Sequence, residues 1–413
     1  MRNINYFCSV KHFRVFITLI ICIISFVSNE THANSIQPST TKGDSVEISL
    51  LTCAPGKEVY SLYGHTAIRY NNKANGIDIA INYGIFSFKA PFFILRFIFG
   101  LTDYEMGIIP FDIFCEEYRY ANRTVTQQVL NLTTEEKKEI IEAIERNYLP
   151  ENRVYRYNYF YDNCTTRARD ILLNHIKGEV YYVNDRKQYP SFRELIHLFN
   201  ENEPWARFGN DILLGVKADQ KTTLNEFQFL PFNLMHNFEN AKIKDLNNNI
   251  RPLTISQYDI VQCPNNHIDT ENSFPLRPIE CAWIIFGLVT IITSIEFLKK
   301  IKLWAFDAVL MLFDGIVGLI ILMMFFSEHP TTSTNLQIFL FNPLALFYLY
   351  YIIQQKKKKR NTTKHFWFYS IVSLILFFIG GLFQDYAEGT YVLALSLLVR
   401  CISNIIQEKN NDK

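Results

Sequence analysis

The sequence lacks a surplus of either charge, paired cysteines and an internal repeat. Its 413 residues include 41 Lys and Arg against 40 Asp and Glu, which gives a net charge of +1. A chain that binds nucleic acid through its charge needs a basic surplus, so this balance gives no reason to expect nucleic acid as a partner. None of the 8 cysteines has the Cys-X-X-Cys spacing of a zinc site, and we predict neither a metal nor a cofactor.

Apolar and aromatic residues are abundant and unevenly distributed. Hydrophobic residues make up 49% of the chain and aromatic residues 15%, and most of the C-terminal third is almost continuously apolar. The aromatic content suggests contact with lipid, and the length allows two or three domains. We predict a signal peptide or signal anchor over residues 1–33, an exported globular domain over residues 34–278 and a membrane bundle over residues 279–413.

The first 33 residues have the pattern of a secretory signal. A basic start with Arg2, Lys11 and Arg14 precedes an apolar stretch over residues 15–27, and the Thr-His-Ala of residues 31–33 offers a small-residue cleavage site. Cleavage and retention as an anchor both stay open. Under either interpretation, the residues that follow lie outside the cytoplasm.

The C-terminal part contains five apolar stretches that we predict to span the membrane, over residues 282–298, 303–326, 336–353, 366–383 and 391–406. The first and third connectors between them are rich in Lys, and the other two contain no Lys or Arg. Because basic loops stay in the cytoplasm, we place the globular domain and the loop of residues 327–335 on the outer side. Asp307 and Asp314 share one helix face and should face the bundle interior or water, since a carboxylate in hydrocarbon is costly.

Strand and turn signals dominate the first half of the globular domain. We predict strands over residues 45–52, 65–70, 77–83 and 125–130, the second and third joined by a turn into a hairpin. Thr133 and Glu136 have the spacing of a capping box at the start of a helix.

Two further stretches of this domain are harder to interpret. Residues 90–99 are apolar but shorter than the ~20 residues that span a bilayer. A buried core helix and a surface segment that dips into the membrane both stay open for them. The polar, Asn-rich residues 240–278 are predicted to be a loosely ordered approach to the membrane.

Cys164 has the sequence context of a nucleophile. The alternating, tyrosine-rich residues 154–161 predict a strand, and residues 165–176 predict a helix, so Cys164 falls at their junction. The first backbone N–H groups of a helix are unpaired, and their partial positive charge lowers the pKa of a thiol there. Asp162 and Asn163 are both candidate helix caps.

The globular domain contains three other cysteines. In an oxidising compartment, one disulfide bond among Cys53, Cys115 and Cys263 is open, and the sequence does not assign it. Cys164 is the cysteine that we expect to be free.

A nucleophilic cysteine needs a histidine as base and a third group that orients the histidine. His65 follows Gly64 and begins a predicted strand, where glycine permits a close backbone approach. The predicted hairpin brings Asn82, on the next strand, beside His65. An amide there can hold the imidazole in the required tautomer. The alternatives are a structural role for His65 and a turn role for Asn82.

The order of these residues resembles that of circularly permuted papain-like enzymes. In one such group, the lecithin:retinol acyltransferases, an Asn precedes the nucleophile as Asn163 precedes Cys164. Longer motifs occur in both parts of the chain. In the globular domain they are Tyr63-Gly64-His65-Thr66-Ala67-Ile68-Arg69, Asn82-Tyr83-Gly84, Asp162-Asn163-Cys164-Thr165-Thr166-Arg167, Asp211-Ile212-Leu213-Leu214-Gly215 and Phe229-Leu230-Pro231. In the membrane part they are Glu328-His329-Pro330 and Asn342-Pro343-Leu344. In this order, the motifs resemble the lipoprotein N-acyltransferase family of the Lnb type.

The resemblance implies a fold and a reaction. The fold is expected to be α+β, a circularly permuted papain-like exported domain followed by a five-span α-helical membrane bundle. The enzyme is expected in the bacterial inner membrane with its catalytic domain facing the periplasm. It would move an acyl chain from a membrane phospholipid, through a thioester on Cys164, to the α-amine of the N-terminal diacylglyceryl cysteine of a lipoprotein. The phospholipid, the diacylated lipoprotein and the membrane are thus the expected partners.

Candidate roles follow for individual residues. The predicted catalytic residues are Cys164, His65 and Asn82. The candidates for oxyanion binding or support are Asn163, Thr165 and Tyr63. The candidates for substrate binding are Arg167, His329 and Glu328. A surface pair with Asp170 is the preferred alternative for Arg167, and a structural role at the end of a span is the alternative for His329.

Two other functions stay open. The same Cys–His pair would serve a membrane-bound cysteine hydrolase, whether phospholipase, peptidase or amidase, in which water replaces the amine acceptor. A chain with an inert cysteine would instead be a membrane-anchored binding or assembly factor.

Overall fold

The computed structural model describes residues 45–58, 61–86, 91–183, 187–263, 274–350 and 364–411. The predicted signal segment over residues 1–33 and the basic connector over residues 356–360 lie outside them. The choice between a cleaved signal and an anchor therefore stays a prediction. The sides of the membrane assigned to the loops of the C-terminal part also stay a prediction.

Strands form the frame of the N-terminal domain. They are β1 (Val46–Cys53), β2 (His65–Asn72), β3 (Ile77–Ile85), β4 (Asp103–Pro110), β5 (Val125–Leu130), β6 (Val154–Arg156), β7 (Glu179–Tyr182), β8 (Ala241–Lys244), β9 (Ile250–Pro252) and β10 (Thr254–Val261). Seven of them form a sheet in the order β10-β5-β1-β2-β3-β4-β6, and all its neighbouring strands are antiparallel. The other three form a small sheet in the order β7-β8-β9.

The predicted hairpin is confirmed. β2 and β3 pair in antiparallel fashion with Ala67 opposite Asn82, and β1 pairs with β2 so that Cys53 lies opposite His65. Gly76, with a φ of +71°, allows the tight turn between β2 and β3. Because of this antiparallel pairing, the end of β1, the start of β2 and the end of β3 lie side by side. We call this line of strand ends the edge of the sheet at His65, as distinct from an edge strand.

The helices of the same domain pack around this sheet. They are α1 (Phe93–Ile98), α2 (Phe111–Tyr120), α3 (Thr134–Tyr148), α4 (Cys164–Leu173), α5 (Phe192–His197), α6 (Pro204–Leu213), α7 (Leu224–Phe227) and α8 (Pro231–Asn240). The predicted capping box is confirmed, because the side chains of Thr133 and Glu136 each accept the other's backbone N–H at the start of α3. α4 packs across β2 and β3, which brings its first residue, Cys164, to the edge at which His65 begins.

The prediction of a continuous strand leading into Cys164 is wrong. β6 ends at Arg156, and the Asn158 side chain accepts the backbone N–H groups of Phe160 and Tyr161, both at 3.3 Å. An asparagine that binds backbone N–H groups ahead of it stabilises a turn in competition with a strand ladder. The alternating tyrosines therefore mark a turn packed with aromatic rings.

Residues 240–278 are more ordered than predicted. β8 and β9 pair with each other, and β10 pairs with β5 at the edge of the main sheet. Most residues of β10 are exposed and several are polar, as is common for an edge strand. This polarity explains why the sequence resembled a linker. Residues 264–273 lie outside the described part of the chain.

The C-terminal part contains the helices α9 (Pro278–Lys299), α10 (Trp304–Met324), α11 (Lys364–Gly380) and α12 (Thr390–Asn411). Among the described residues, three helices are long and apolar enough to cross a membrane, namely α9, α10 and residues 390–407 of α12. α11 has 17 residues, fewer than the ~20 that a bilayer core requires. The prediction of five spans is therefore wrong for the part of the chain that the structure describes.

The third predicted span, residues 336–353, is interrupted near its start. A 3₁₀ helix over Leu336–Phe339 is followed by a break at Asn342 and Pro343, and helical structure resumes at residue 345. Proline has no N–H to donate and disfavours helical geometry in the residue before it. The Asn342 side chain accepts a backbone N–H two residues on at 3.0 Å, which stabilises the break. Residues 351–363 lie outside the described residues.

Buried charges join the membrane helices. Arg400 of α12 binds Asp307 of α10 at 2.7 and 3.0 Å and Glu296 of α9 at 2.5 Å, and all three side chains are fully buried. Asp307 therefore faces the bundle interior, as predicted, where an opposite charge compensates for the loss of water. Asp314 accepts the N–H of Asn342 at 3.2 Å.

The apolar residues 90–99 include a short surface helix, α1. Phe92, Leu95 and Phe97 are 78%, 48% and 46% exposed, so the interpretation as a buried core helix is wrong. The carbonyl of Phe99 accepts the N–H of Glu328 at 3.0 Å, which ties the end of α1 to the loop after α10. The alternative of a surface segment that dips into the membrane stays a prediction, and the exposure of these apolar side chains favours it.

Hydrogen bonds join the N-terminal domain to the membrane part at residues 211–216, part of which sequence analysis singled out as a motif. The three side chains that donate to backbone carbonyls of this segment are Asn335 to Ile212, Gln337 to Asp211 and Gln384 to Leu214, at 2.7–2.9 Å. The two backbone bonds are from Gly215 to Thr331 and from Val216 to Thr334, both 2.8 Å. Because the three donor side chains are buried, these bonds are shielded from water and hold the two parts in one arrangement.

Gly215 packs against the backbone of Thr334 with no room for a Cβ. We expect Gly215→Ala to lower the free energy of unfolding by about 1–3 kcal/mol, because one of the two backbones must move. Thermal unfolding of the detergent-solubilised protein measures the change. Gly209→Ala is the matched control, since Gly209 lies in α6 with open space at its Cβ position and alanine favours a helix. Equal unfolding temperatures for the two variants would contradict the close contact.

Candidate active site

Asn163 fixes the start of α4 and with it the position of Cys164. Its side-chain oxygen accepts the N–H groups of the two residues after Cys164, both at 2.9 Å, as predicted for a helix cap. Its amide donates to the carbonyls of Tyr159 and Phe229, also at 2.9 Å. Both ends of this buried side chain are therefore engaged, and Asn163 holds the loop before Cys164 to the helix.

His65 is held by its neighbours at the sheet edge. Its Nε2 lies 3.1 Å from Oδ1 of Asn82, which leaves Nδ1 for the hydrogen bond with Cys164. Gly64 has a φ of +82°, and a Cβ at this position would collide with the carbonyl of Cys53. The tight turn before β2 and the hairpin after it thus place His65 between Cys164 and Asn82. We call these three residues the row.

The row favours a thiolate beside an imidazolium. Burial favours the neutral thiol, but the charge of His65 and hydrogen bonds from His65, Thr66 and Thr165 outweigh burial and lower the pKa of Cys164. Burial likewise opposes protonation of His65, but the Cys164 thiolate and the hydrogen bonds with Cys164 and Asn82 raise its pKa overall. Each group therefore stabilises the charge of the other.

The other two support candidates lie beside this row. Oγ1 of Thr165 is 3.8 Å from Sγ of Cys164 and 3.0 Å from Oγ1 of Thr66. The hydroxyl of Tyr63 accepts a hydrogen bond of 2.7 Å from the Asn210 amide, which anchors it to α6. Thr165 is therefore a direct neighbour of the thiol, and Tyr63 belongs to the surrounding wall.

A cavity of about 260 Å³ lies beside Cys164 and His65. Aromatic rings form much of its wall, among them Tyr83, Phe86, Tyr104, Tyr157 and Tyr159. Tyr104 and Tyr157 stack with their ring centroids 4.0 Å apart. Such a wall suits a ligand that is mainly hydrocarbon with a few polar groups.

The predicted pair between Arg167 and Asp170 is wrong. Arg167 donates two hydrogen bonds of 2.6 and 2.7 Å to Asp162 and lies 3.5 Å from the ring centroid of Tyr155. Asp170 pairs instead with Arg169 at 2.7 Å. A bidentate carboxylate and an aromatic face together occupy the Arg167 guanidinium, and it is not part of the cavity wall.

Glu328 and His329 lie near α1 and are not part of the cavity wall. Glu328 forms an ion pair of 3.2 Å with Arg156. The ring of His329 has its centroid 6.3 Å from that of Phe97. Burial lowers the pKa of His329 more than a hydrogen bond with Phe97 and the charge of Glu328 raise it, so its imidazole is neutral at pH 7.

Sequence reasoning missed Arg123, Phe86 and Tyr104, which all line the cavity. They lie before β5, after β3 and at the start of β4, and no spacing along the chain connects them. The order of strands in the sheet brings them to the same edge. The position of Arg123 in the cavity wall follows only from the pairing of β5 with β1, which the sequence did not predict.

The six cysteines in the described part of the chain are free, so no disulfide joins Cys53, Cys115 and Cys263. Burial raises the pKa of Cys53 to about 12 in spite of a hydrogen bond with Tyr118, so its thiol is neutral at pH 7. The pKa of Cys164 is thus lowered and that of Cys53 is raised, so Cys164 is the more readily ionised of the two thiols. Within the same residues, no group of three or more His, Cys, Asp or Glu could hold a metal ion.

The fold and the site define a class of membrane protein. An N-terminal α/β domain holds a Cys–His pair at the edge of its sheet and is joined by buried hydrogen bonds to helices able to cross a membrane. The class combines a thiol of lowered pKa with helices long and apolar enough to cross a membrane.

Comparison with known families identifies the group within this class. The family model described as the Lnb N-terminal periplasmic domain matches residues 34–197, and that described as the Lnb transmembrane domain matches residues 269–412. Together they cover about three quarters of the chain. The chain therefore belongs to the Lnb family, as predicted, and is a membrane protein with a periplasmic domain. No curated protein and no solved structure matches it. Circular permutation of a papain-like fold stays a prediction.

The pH dependence of alkylation tests the thiolate of Cys164. We expect iodoacetamide to modify Cys164 at pH 7 and the rate to fall only as the pH drops below the lowered thiol pKa. In His65→Gln, burial remains while the compensating charge is lost, so the pKa should exceed that of an ordinary thiol. The rate at pH 7 should then fall more than about tenfold and recover only at alkaline pH.

Peptide mapping by mass spectrometry measures this rate and has an internal control. Cys53 should remain unmodified at pH 7 in the folded protein because its pKa is raised. Coinciding pH profiles of wild type and His65→Gln would contradict the charge pairing.

Proposed function

We propose that this protein is a lipoprotein N-acyltransferase of the bacterial inner membrane. It moves an acyl chain from a membrane phospholipid, through a thioester on Cys164, to the α-amine of the N-terminal diacylglyceryl cysteine of a lipoprotein. The observation that carries the proposal is the row of Cys164, His65 and Asn82 beside an aromatic cavity, in a chain of the Lnb family.

The first half-reaction acylates Cys164. The thiolate attacks the carbonyl carbon of the phospholipid ester, so that a C–S bond forms and the carbonyl oxygen becomes an oxyanion. When this intermediate collapses, the C–O bond to glycerol breaks and the His65 imidazolium gives its proton to the leaving oxygen. The products are a thioester on Cys164 and a lysophospholipid.

The start of α4 supplies a donor for the oxyanion. Asn163 binds the N–H groups of Thr165 and Thr166, and the N–H of Cys164 is not among those it accepts. This remaining N–H lies at the positive end of the helix dipole, on the same residue as the attacking sulfur. We assign it to the developing oxyanion, where a fixed donor is most effective.

The second half-reaction transfers the acyl chain to the amine. The neutral His65 accepts a proton from the lipoprotein α-amine as the nitrogen attacks the thioester carbon. The C–S bond then breaks, an amide is released, and the thiolate beside a protonated His65 is restored. Asn82 keeps the imidazole aligned through both halves, because its Oδ1 accepts the Nε2 proton. The scheme requires ping-pong kinetics.

A row of aromatic rings gives the acyl chain a route from the bilayer. Phe86 of the cavity wall stacks with Phe93, with their ring centroids 6.1 Å apart. Phe93 stacks with Phe97 at a centroid distance of 6.4 Å, and Phe97 lies against His329. α1 carries two of these rings, and both Leu95 of α1 and Phe92, the residue before α1, are exposed. A chain drawn along the row stays on apolar surface and helps to exclude water that would hydrolyse the thioester.

Mass spectrometry of lipoprotein N-termini tests the transfer. In cells that rely on this protein, Cys164→Ala should abolish the N-acyl mass increment, whereas Cys263→Ala, which removes a thiol outside the cavity, should leave it unchanged. The purified protein incubated with phospholipid alone should gain one acyl mass on Cys164, and hydroxylamine should remove it. Full N-acylation in Cys164→Ala would refute the proposal. Fatty acid released at the same rate with and without a lipoprotein acceptor would identify a hydrolase instead.

The lipid route is tested at α1. The double change of Phe92→Ser and Leu95→Ser should raise the KM for phospholipid in vesicles about tenfold, because apolar area that contacts the bilayer is lost. Acylation of Cys164 by a short, soluble ester should not change. Leu246→Ser is the control, since Leu246 is 86% exposed on a turn between β8 and β9. An unchanged KM in the double variant would exclude α1 from lipid contact.

A further inference from the structure

Arg123 is a charged residue in the cavity wall to which the mechanism above assigns no role. It stands two residues before β5, and its Nε donates to the carbonyl of Ala54 at 2.7 Å. Its guanidinium lies 4.9 Å from the ring centroid of Tyr118. Its Nη2 is buried and has no hydrogen-bond partner in the structure.

The strand order places Arg123 on one flank of the Cys–His pair. Val125 at the start of β5 lies opposite Cys53 at the end of β1, and Cys53 lies opposite His65. Two steps between strands separate β5 from β2, roughly 10 Å between backbones, which is within the reach of an arginine and a small ligand group. Tyr104 lies on the opposite flank, two strands beyond His65.

The cavity therefore has two chemically different ends. On the flank of β3 and β4, Phe86 and Tyr104 form an aromatic end that continues into α1. On the flank of β5, Arg123 and Ser61 form a polar end with a positive charge. Cys164 and His65 lie between them. A ligand with hydrocarbon at one side of a reactive ester and an anion at the other side matches this arrangement.

The charge of Arg123 has no counterion among the described residues. Arg167, Arg169 and Arg193 of the same domain each pair with a carboxylate at 2.6–2.7 Å, and Arg123 forms no such pair in the part of the chain that the structure describes. A buried donor without an acceptor is costly, and a guanidinium matches the oxygens of a phosphate particularly well. An anion with acceptor oxygens would satisfy both the unpaired donor and the positive charge.

We propose that Arg123 binds the phosphate of the acyl donor and so orients the donor's ester toward Cys164. The inference rests on the proposed function, because it names the group of the phospholipid that the site recognises. The glycerol unit then lies over His65, and the acyl chains lie toward Phe86. Arg123 is a substrate-binding residue in this scheme, and Cys164 and His65 carry the chemistry.

The bound phosphate also affects His65. The charge of Arg123 opposes protonation of His65, and its effect lowers the pKa of that histidine. An anion on Arg123 compensates this charge. Donor binding therefore favours the imidazolium at the moment when His65 must protonate the leaving oxygen.

The first experiment needs no acyl transfer and therefore stands even if the proposed function fails. Iodoacetate is an anion, and iodoacetamide is its neutral counterpart. We expect Arg123→Gln to lower the ratio of the iodoacetate rate to the iodoacetamide rate at Cys164 by about tenfold. This is the effect of losing hydrogen bonds to a charged group. Inorganic phosphate should slow alkylation of the wild type and leave Arg123→Gln unaffected. The matched control is Arg119→Gln, because Arg119 is exposed on α2 and the charge change is the same.

The second experiment distinguishes a lipid phosphate from free phosphate. In Arg123→Gln, the KM for phosphatidylglycerol in mixed micelles should rise about ten- to hundredfold, whereas acylation of Cys164 by p-nitrophenyl butyrate, an uncharged ester, should change less than about twofold. Arg123→Lys should recover part of the loss, because it restores the charge without the bidentate geometry.

Three outcomes would overturn the inference. Equal losses with the phospholipid and the uncharged ester would mean that Arg123 only supports the loop at Ala54. An unchanged ratio of iodoacetate to iodoacetamide rates would mean that no anion site exists. Protection by inorganic phosphate combined with an unchanged KM for phosphatidylglycerol would mean that the site takes free phosphate and not the donor.

Discussion

The position of Cys164 depends on four hydrogen bonds made by one buried side chain. Asn163 accepts two N–H groups of α4 and donates to two carbonyls of the surrounding loops, so the helix cannot begin one residue earlier or later without leaving buried polar groups unpaired. The sheet edge supplies the matching constraint, because the register of β1, β2 and β3 sets His65 beside Asn82. Charge pairing between thiol and imidazole is a consequence of these two constraints.

The contact between the N-terminal domain and the membrane part likewise depends on buried amide side chains that bind backbone groups. Buried amide side chains from the membrane part bind the carbonyls of residues 211–214, and Gly215 allows the backbones to touch. These bonds, together with the contact of α1 with the loop after α10, hold the domain against the bundle. In the proposed function both substrates are membrane-bound, and a fixed orientation of this kind would keep the cavity at a constant height relative to the bilayer. The proposed aromatic route to α1 depends on that condition.

Local sequence signals predicted local structure well and long-range structure poorly. The hairpin, the capping boxes and the start of α4 each depend on residues fewer than about twenty positions apart, and the residue types that form them are recognisable. The pairing of Arg167 with Asp162 in place of Asp170 was missed because only Asp170 has a helical spacing from Arg167. Asp162 lies before the helix, and the turn that precedes Cys164 brings its carboxylate to the guanidinium. The break at Asn342 and Pro343 was missed because average apolarity outweighed one proline. β10 was missed because an edge strand with polar residues looks like a linker.

The sequence alone indicated the residues of the proposed site, since a capped cysteine, a histidine after a glycine and an amide on the next strand are local features, and their order resembles that of a family to which the chain belongs. Tertiary structure alone decided the shape of the cavity and which residues form its aromatic end and its positively charged end. Arg123, His65 and Tyr104 are brought to one edge by strands that are neighbours in space and distant along the chain. The physical reason is that the pairing of strands distant along the chain depends on how their apolar faces pack in the core, and no local sequence pattern records which of them become neighbours.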